Sequence, residues 1–228
     1  MLVILFLENK SPSQALSTLK NPFFASTITK NTVYKYFNLF GDIAFSYYKQ
    51  KVRSTFLSGE IELDETVVFK VKRTRAKRRR NCKLKYQWLL GIIERKSKDF
   101  IVIPICTRNE PSILIPLLKY VECESTIYTD CLSVYVKNRK LPKESRLIDY
   151  GYNHHYIDHS VEFVSERFGH IHTNTIERLW KSIKTDLRSK RITTGYLKTI
   201  GRFYFHKTLP KEQQLIFLRN HINSMRFL

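Results

Sequence analysis

The sequence predicts an α/β protein in which a mixed sheet with flanking helices follows a small helical region. Three features of the chain predict it. Apolar residues recur at helical spacing as far as Leu57, and at every second position beyond Gly59. Strand-like runs then succeed one another with short connections, as in an antiparallel meander. After them come a helix, a short strand and further helices, an order that returns a strand parallel to the first.

Taken in order, "MLVILFL" is apolar for seven residues and then turns polar, which suits a short strand or a helix turn. It is too short to span a bilayer and lacks the basic start and cleavage site of a leader. "SPSQALSTLK" opens with a capping-type residue, and Val33, Tyr34, Phe37 and Phe40 fall at helical spacing in "TITKNTVYKYFNLFGDIAFSYYKQ". The piece "ITKNTVYKYF" resembles the second helix of a helix-turn-helix, with Lys30 and Lys35 near a phosphate backbone, although a plain packing pair fits as well. "IELDETVVFKV" alternates as a strand, with Ile61 and Leu63 on one face and Glu62 and Asp64 on the other. "KYQWLLGIIER" and "DFIVIPIC" are the next two strands, joined through "KSKD". In "NEPSILIPLLKYV", Pro111 suits a helix's first turn and Pro116 its interior kink. "STIYTD" is a fourth strand, "CLSVYVKNR" reads as the start of another helix, and residues 141–171 as a strand with loops. A helix from 172 to about 190 and two helical pieces around Pro210 complete the chain. The resulting division is a small helical region over 1–58, possible as a helix-turn-helix, and an α/β domain with C-terminal helices over 59–228. This is a ribonuclease-H-like layer order.

The 228 residues suffice for one large domain, or for one of roughly 150 residues with a smaller appendage. Hydrophobic residues make up 43%, which supplies a core and argues against disorder. Lys and Arg number 40 against 20 Asp and Glu, a formal charge of +20 that draws the chain to a polyanion, foremost nucleic acid. That charge gives affinity without sequence preference or chemistry. Cys82, Cys106, Cys123 and Cys131 contain no C-x-x-C pair, which speaks against a zinc ribbon; they read as buried thiols in a reducing compartment. No window is long and apolar enough for a membrane helix.

Carboxylates at the ends of apolar strands are costly to bury unless paired or bound to a cation. Asp64 stands in the first strand and Asp130 ends the fourth. If those strands are neighbours, the two acids approach one another, and Glu177 on the later helix could complete an oxygen-only set suited to Mg²⁺ or Mn²⁺. Each residue also has a purely structural reading: Asp64 as an edge-strand charge, Asp130 as a helix cap, and Glu177 as the far end of a capping box begun by Asn174.

Five stretches, "GEIELDET", "WLLGIIER", "IYTD", "GYNHHYIDHS" and "HTNTIERLWKSIK", occur in order over about residues 59–190. Together they resemble the DDE transposase domain of Merlin-type elements and their bacterial insertion-sequence relatives. The resemblance implies a ribonuclease-H-like fold that cuts and rejoins DNA at element ends with a divalent metal. It implies Asp64, which follows Glu-x, as the first acid, Asp130 after Thr as the second, and Glu177 of His-Thr-x-x-Ile-Glu as the third, with Lys184 seven residues on. It also implies that His154, His159 and His172 lie near the active site, with Asn174 beside them. "YIDHS" departs from the more usual Val-Asn-His wording, and the cysteine-rich zinc ribbon common at the family's N-terminus has no counterpart here.

Eight Lys or Arg fall between residues 70 and 80, including Lys77, Arg78, Arg79 and Arg80. Such a block repels itself unless anions are near, so DNA backbone contact is expected, with a solvated hairpin tip or a nuclear-import signal as alternatives. Lys184 and Arg188 extend the basic surface along the Glu177 helix, while Trp180 reads as core. The expected partners are double-stranded DNA at element ends and target, and further copies of the chain assembled on it. No membrane partner is expected. The expected location is the nucleus in a eukaryote, or the cytoplasm and nucleoid in a bacterium. Competing readings are a non-catalytic DNA-binding protein derived from a transposase, and a ribonuclease-H-type nuclease acting on RNA–DNA hybrids.

Overall fold

The computed structural model describes residues 1–21, 27–71, 85–137, 144–157, 172–189 and 196–225. They divide into two compact units, residues 55–185 and residues 1–54 with 186–228. The helices after residue 195 fall in the same unit as the N-terminal helices.

The 55–185 unit is built on a five-stranded sheet of order β3-β2-β1-β4-β5. Its strands are β1 (Glu60–Val71), β2 (Lys85–Glu94), β3 (Phe100–Ile105), β4 (Thr126–Asp130) and β5 (Asn153–Ile157). β1, β2 and β3 pair antiparallel, whereas β4 runs parallel to both β1 and β5. This is the mixed sheet expected, a ribonuclease-H-like α/β layer with β1 beside β4. Helix α4 (Glu110–Tyr120) supplies the crossover that a parallel pair requires. Asn109 caps it by accepting the Ser112 amide at 3.2 Å, and the helix continues through Pro116. Helix α5 (Asn174–Ser189) carries Ile176, Leu179 and Ile183 inward and a polar face outward. The inward residues of the sheet include Ile61, Leu63, Leu89, Leu90, Ile92, Val102 and Ile127.

In the other unit, α1 (Leu2–Leu7), α2 (Pro12–Leu19), α3 (Lys30–Ser54), α6 (Tyr196–Thr208) and α7 (Lys211–Met225) form a helical assembly. The apolar start of the chain is therefore a helix turn. Ser11 and Gln14 form the reciprocal capping box of α2. Helix α3 runs unbroken for 25 residues; residues 22–26, between it and α2, lie outside the described residues. Gly201 lets α6 lie against α3, because a Cβ there would sit 2.8 Å from the Phe45 Cα. Arg202 lies over the Phe6 ring and donates to the Lys10 carbonyl at 2.9 Å, satisfying an acceptor just past the end of α1. Burial lowers its pKa to about 10.

Two expectations fail locally. Residues 131–137 do not form a helix: they turn, and Val136 makes an antiparallel bridge with Ser145. The reason is tertiary, since Tyr135 is fully buried with its hydroxyl on Glu65, and Arg146 donates its amide to the Tyr135 carbonyl. Cys106 and Cys123 are exposed rather than buried, Cys106 just beyond β3 and Cys123 in the loop between α4 and β4, where the chain leaves the core. Among the described residues no helix is long and apolar enough to cross a membrane.

Candidate active site

Parallel pairing of β1 and β4 brings the two strand aspartates together. The ladder matches Glu60 with Thr126, Ile61 with Ile127 and Glu62 with Tyr128. The ladder ends there; Asp64 and Asp130 lie two residues further along their strands, near enough for Asp130 to raise the Asp64 pKa. Side chains two apart share a face, so Glu62 and Asp64 project together. Helix α5 covers that face, because Glu62 Oε2 accepts the Ile176 amide at 2.8 Å and Asp64 Oδ2 accepts the Trp180 indole N–H at 2.9 Å.

The electrostatics follow from this crowding. The Asp64 carboxyl is raised to about 6, chiefly by burial and then by Asp130, with a smaller push from Glu177; the Trp180 hydrogen bond opposes the rise. Its neighbour Glu65 is raised to about 7, again by burial first, while the Tyr135 hydroxyl donates to it and Arg108 Nη1 lies 3.9 Å away. Asp130 Oδ1 accepts the Leu132 amide at 2.9 Å, closing a local turn in place of the helix cap considered above.

Glu177 is exposed one turn into α5. The Asn174–Glu177 capping box is absent: the Glu177 amide donates to the Thr173 carbonyl at 3.1 Å, and the Thr173 hydroxyl reaches Glu177 Oε1 at 3.4 Å. The side chain that receives a first-turn amide is Glu62, reaching across from β1. Asn174 is exposed at the start of the helix.

His154 sits on β5 with both ring nitrogens engaged, Nε2 at 2.9 Å from Thr129 Oγ1 and Nδ1 at 2.6 Å from Ser145 Oγ. Burial lowers its pKa to about 4, so the ring is neutral and braces β4 next to Asp130. His172 is partly exposed, its Nδ1 3.5 Å from Glu62 Oε1, and its carbonyl accepts from Arg95 Nη2. Lys184 is half-buried on α5, near the exposed Arg178 and Lys181. Lys77, Arg78, Arg79, Arg80 and His159 lie outside the described residues, as does the Arg188 side chain.

Several residues here escaped the sequence reading. Glu62 is fully buried and ion-paired with Arg95 Nε at 2.9 Å, while the Arg95 guanidinium stacks 3.5 Å from the Tyr128 ring centre. Glu65, Tyr135 and Gly91 likewise had no assigned role. The one available signal was an acid alternating with buried apolar residues in a strongly basic chain.

The donor set suits a hard divalent cation in kind: Asp64, Asp130 and Glu177 offer only oxygen, and Asp64 is held against repulsion that a cation would relieve. As they stand, no three His, Cys, Asp or Glu side chains among the described residues are grouped closely enough to hold a metal.

The five-stranded mixed sheet with flanking helices is a ribonuclease-H-like α/β fold. The chain belongs to the ISXO2-like transposase domain family, which matches over residues 56–206, and is therefore a DDE transposase domain of insertion-sequence type. No curated protein matches. The family generally uses divalent metals.

The raised carboxyls give a pH dependence of defined sign. Asp64 and Glu65 titrate higher in the folded protein (about 6 and about 7) than their ordinary 3.8 and 4.5, so their protonated forms favour folding. That contribution is complete below about pH 4 and disappears as pH rises through about 7. Thermal melts should therefore show Mn²⁺ stabilising the protein more at pH 8 than at pH 5, relative to chelator. Equal shifts at both pH values would contradict the carboxylate assignment.

Proposed function

We propose that the chain is a DNA transposase that cleaves element ends and joins the liberated 3′ hydroxyl to target DNA, with Asp64, Asp130 and Glu177 holding Mg²⁺ or Mn²⁺. What supports this most is the parallel β1–β4 pairing, whose strands carry Asp64 and Asp130 two residues beyond the last paired position, with Asp64 hydrogen-bonded to Trp180 of the helix that carries Glu177. A bound cation supplies charge to activate the attacking oxygen and to stabilise the one that leaves.

The protein's own groups do the rest. Asp64 and Asp130 present oxygens from two rigid strands, and Trp180 and the Leu132 amide fix one oxygen of each. His154 is braced as a neutral ring and holds the end of β4, so its part is to keep Asp130 in register. Arg178, Lys181 and Lys184 give α5 a basic face beside Glu177 for the phosphate backbone. Lys77, Arg78, Arg79, Arg80 and Arg188 extend that charge in sequence. In-line displacement requires no covalent protein intermediate. Further copies of the chain would pair the two ends.

The test is nicking and strand transfer with a labelled duplex carrying the element's ends, in Mg²⁺ or Mn²⁺. The unmodified chain is expected to cleave and Asp130→Asn to lose at least about 100-fold, the scale of several kcal/mol of charge stabilisation. Binding to unrelated duplexes should persist in the variant and weaken steeply with salt. A chain that binds such DNA but never cleaves it would instead be a DNA-binding derivative of a transposase.

A further inference from the structure

We propose that Gly91 and Trp180 act as a positioning pair that sets the Asp64 carboxylate for a divalent cation, an inference that rests on the reading of Asp64 as a ligand. Gly91 is the partner of Asp64 across the β1–β2 ladder. A Cβ at this position would lie 2.5 Å from Trp180 Cζ2, 2.7 Å from Cη2 and 3.1 Å from Ile176 Cδ1. The missing side chain is thus the space that the six-membered ring of Trp180 occupies.

Seated there, Trp180 is 4% exposed and reaches Asp64 Oδ2 with its indole N–H at 2.9 Å. An indole nitrogen donates and cannot accept, so the contact selects one carboxylate oxygen and leaves lone pairs elsewhere on the group. A phenyl ring would fill much of the same space and donate nothing. Ile176 and Trp180 lie one turn apart on α5, and both press on Gly91. The same glycine therefore sets how closely α5, and with it Glu177, approaches β1. In this arrangement Trp180 does not touch DNA or the reacting atoms; it works through Asp64.

Mn²⁺ binding to the DNA-free protein, followed by electron paramagnetic resonance, separates this role from packing. Trp180→Phe is expected to bind Mn²⁺ about 10- to 100-fold more weakly, as for other groups that orient a ligand, with unchanged affinity for duplex DNA in chelator. Gly91→Ala should lower the melting temperature in the Trp180 protein and be tolerated alongside Trp180→Phe, because phenylalanine lacks the two atoms that would collide. A Trp88→Phe protein, which keeps Trp180 as the one tryptophan of the two, should lose fluorescence as paramagnetic Mn²⁺ binds. That measurement serves should Trp180→Phe fail to fold. Wild-type Mn²⁺ affinity in Trp180→Phe, or unquenched Trp180 emission at saturating Mn²⁺, would overturn the pairing and leave the transposase reading in place. An unmodified chain that binds no Mn²⁺ would remove both.

Discussion

Glu177→Gln should leave the protein folded and remove most of its metal-dependent cleavage, on the order of 100- to 1,000-fold for the loss of a charged ligand. Two structural facts make the substitution clean. The side chain is exposed, and its one described hydrogen bond, from the Thr173 hydroxyl, is long at 3.4 Å and can be accepted by an amide oxygen. The capping of α5 does not depend on it, because the Ile176 amide is received by Glu62. The change in stability should therefore stay within about 0.5 kcal/mol, as for ordinary surface positions. The measurement pairs nicking of an end-bearing duplex with thermal unfolding of both proteins. Full cleavage by the Gln variant would reject Glu177 as a ligand; a large loss of stability would reject its independence from the helix start.

The fold was legible to the extent that each element carried a local signal. β1 alternates, Asn109 and Pro111 announce α4, and the strand–helix–strand spacing requires β4 to return parallel. Long-range packing carries no such signal. The run 131–137 has residues that tolerate a helix, yet Tyr135 is drawn to buried Glu65 and the segment bridges to Ser145 instead. Alternation assigned Glu62 to the polar face of β1, but a central strand covered by α5 has no solvent face there, and Glu62 is buried as completely as Ile61. Trp180 was legible as an apolar residue on the inner stripe of α5. Its hydrogen bond to Asp64, and the glycine that admits it, join residues from three separate elements. Of the candidate site, the acids were legible as residue types out of place on apolar strands, while the contacts that hold them depend on the β1–β2 and β1–β4 registers.

Glu62→Ala should be among the most damaging single changes to this chain, costing about 3–5 kcal/mol of stability, the range for removing one partner of a buried ion pair. The carboxylate is fully buried and has two principal partners, Arg95 Nε at 2.9 Å and the Ile176 amide at 2.8 Å, with His172 Nδ1 further off at 3.5 Å. Truncation takes the buried carboxylate away from the Arg95 guanidinium, which is 10% exposed, and from an amide at the start of α5. Relief for Arg95 is partial: Glu60 Oε1 lies 3.8 Å away but is itself 56% exposed, and the His172 carbonyl remains. The lower half of the range is therefore expected. Glu62→Gln keeps one acceptor and should cost less, about 2 kcal/mol, because only one of the two donors, Arg95 Nε or the Ile176 amide, then faces an amide nitrogen instead of an oxygen. Arg95→Met, which leaves Glu62 as an uncompensated buried charge, should cost as much as Glu62→Ala. The double variant should then cost clearly less than the sum, as for any pair in contact. Urea denaturation of the four proteins measures this, and cleavage by Glu62→Gln under folding conditions measures the functional consequence. Since Glu62 holds the end of α5 to the strand bearing Asp64, that rate should fall while duplex binding in chelator persists. A Glu62→Ala protein within about 1 kcal/mol of the parent, or additive effects of the two changes, would show that the helix carrying Glu177 is held by something else.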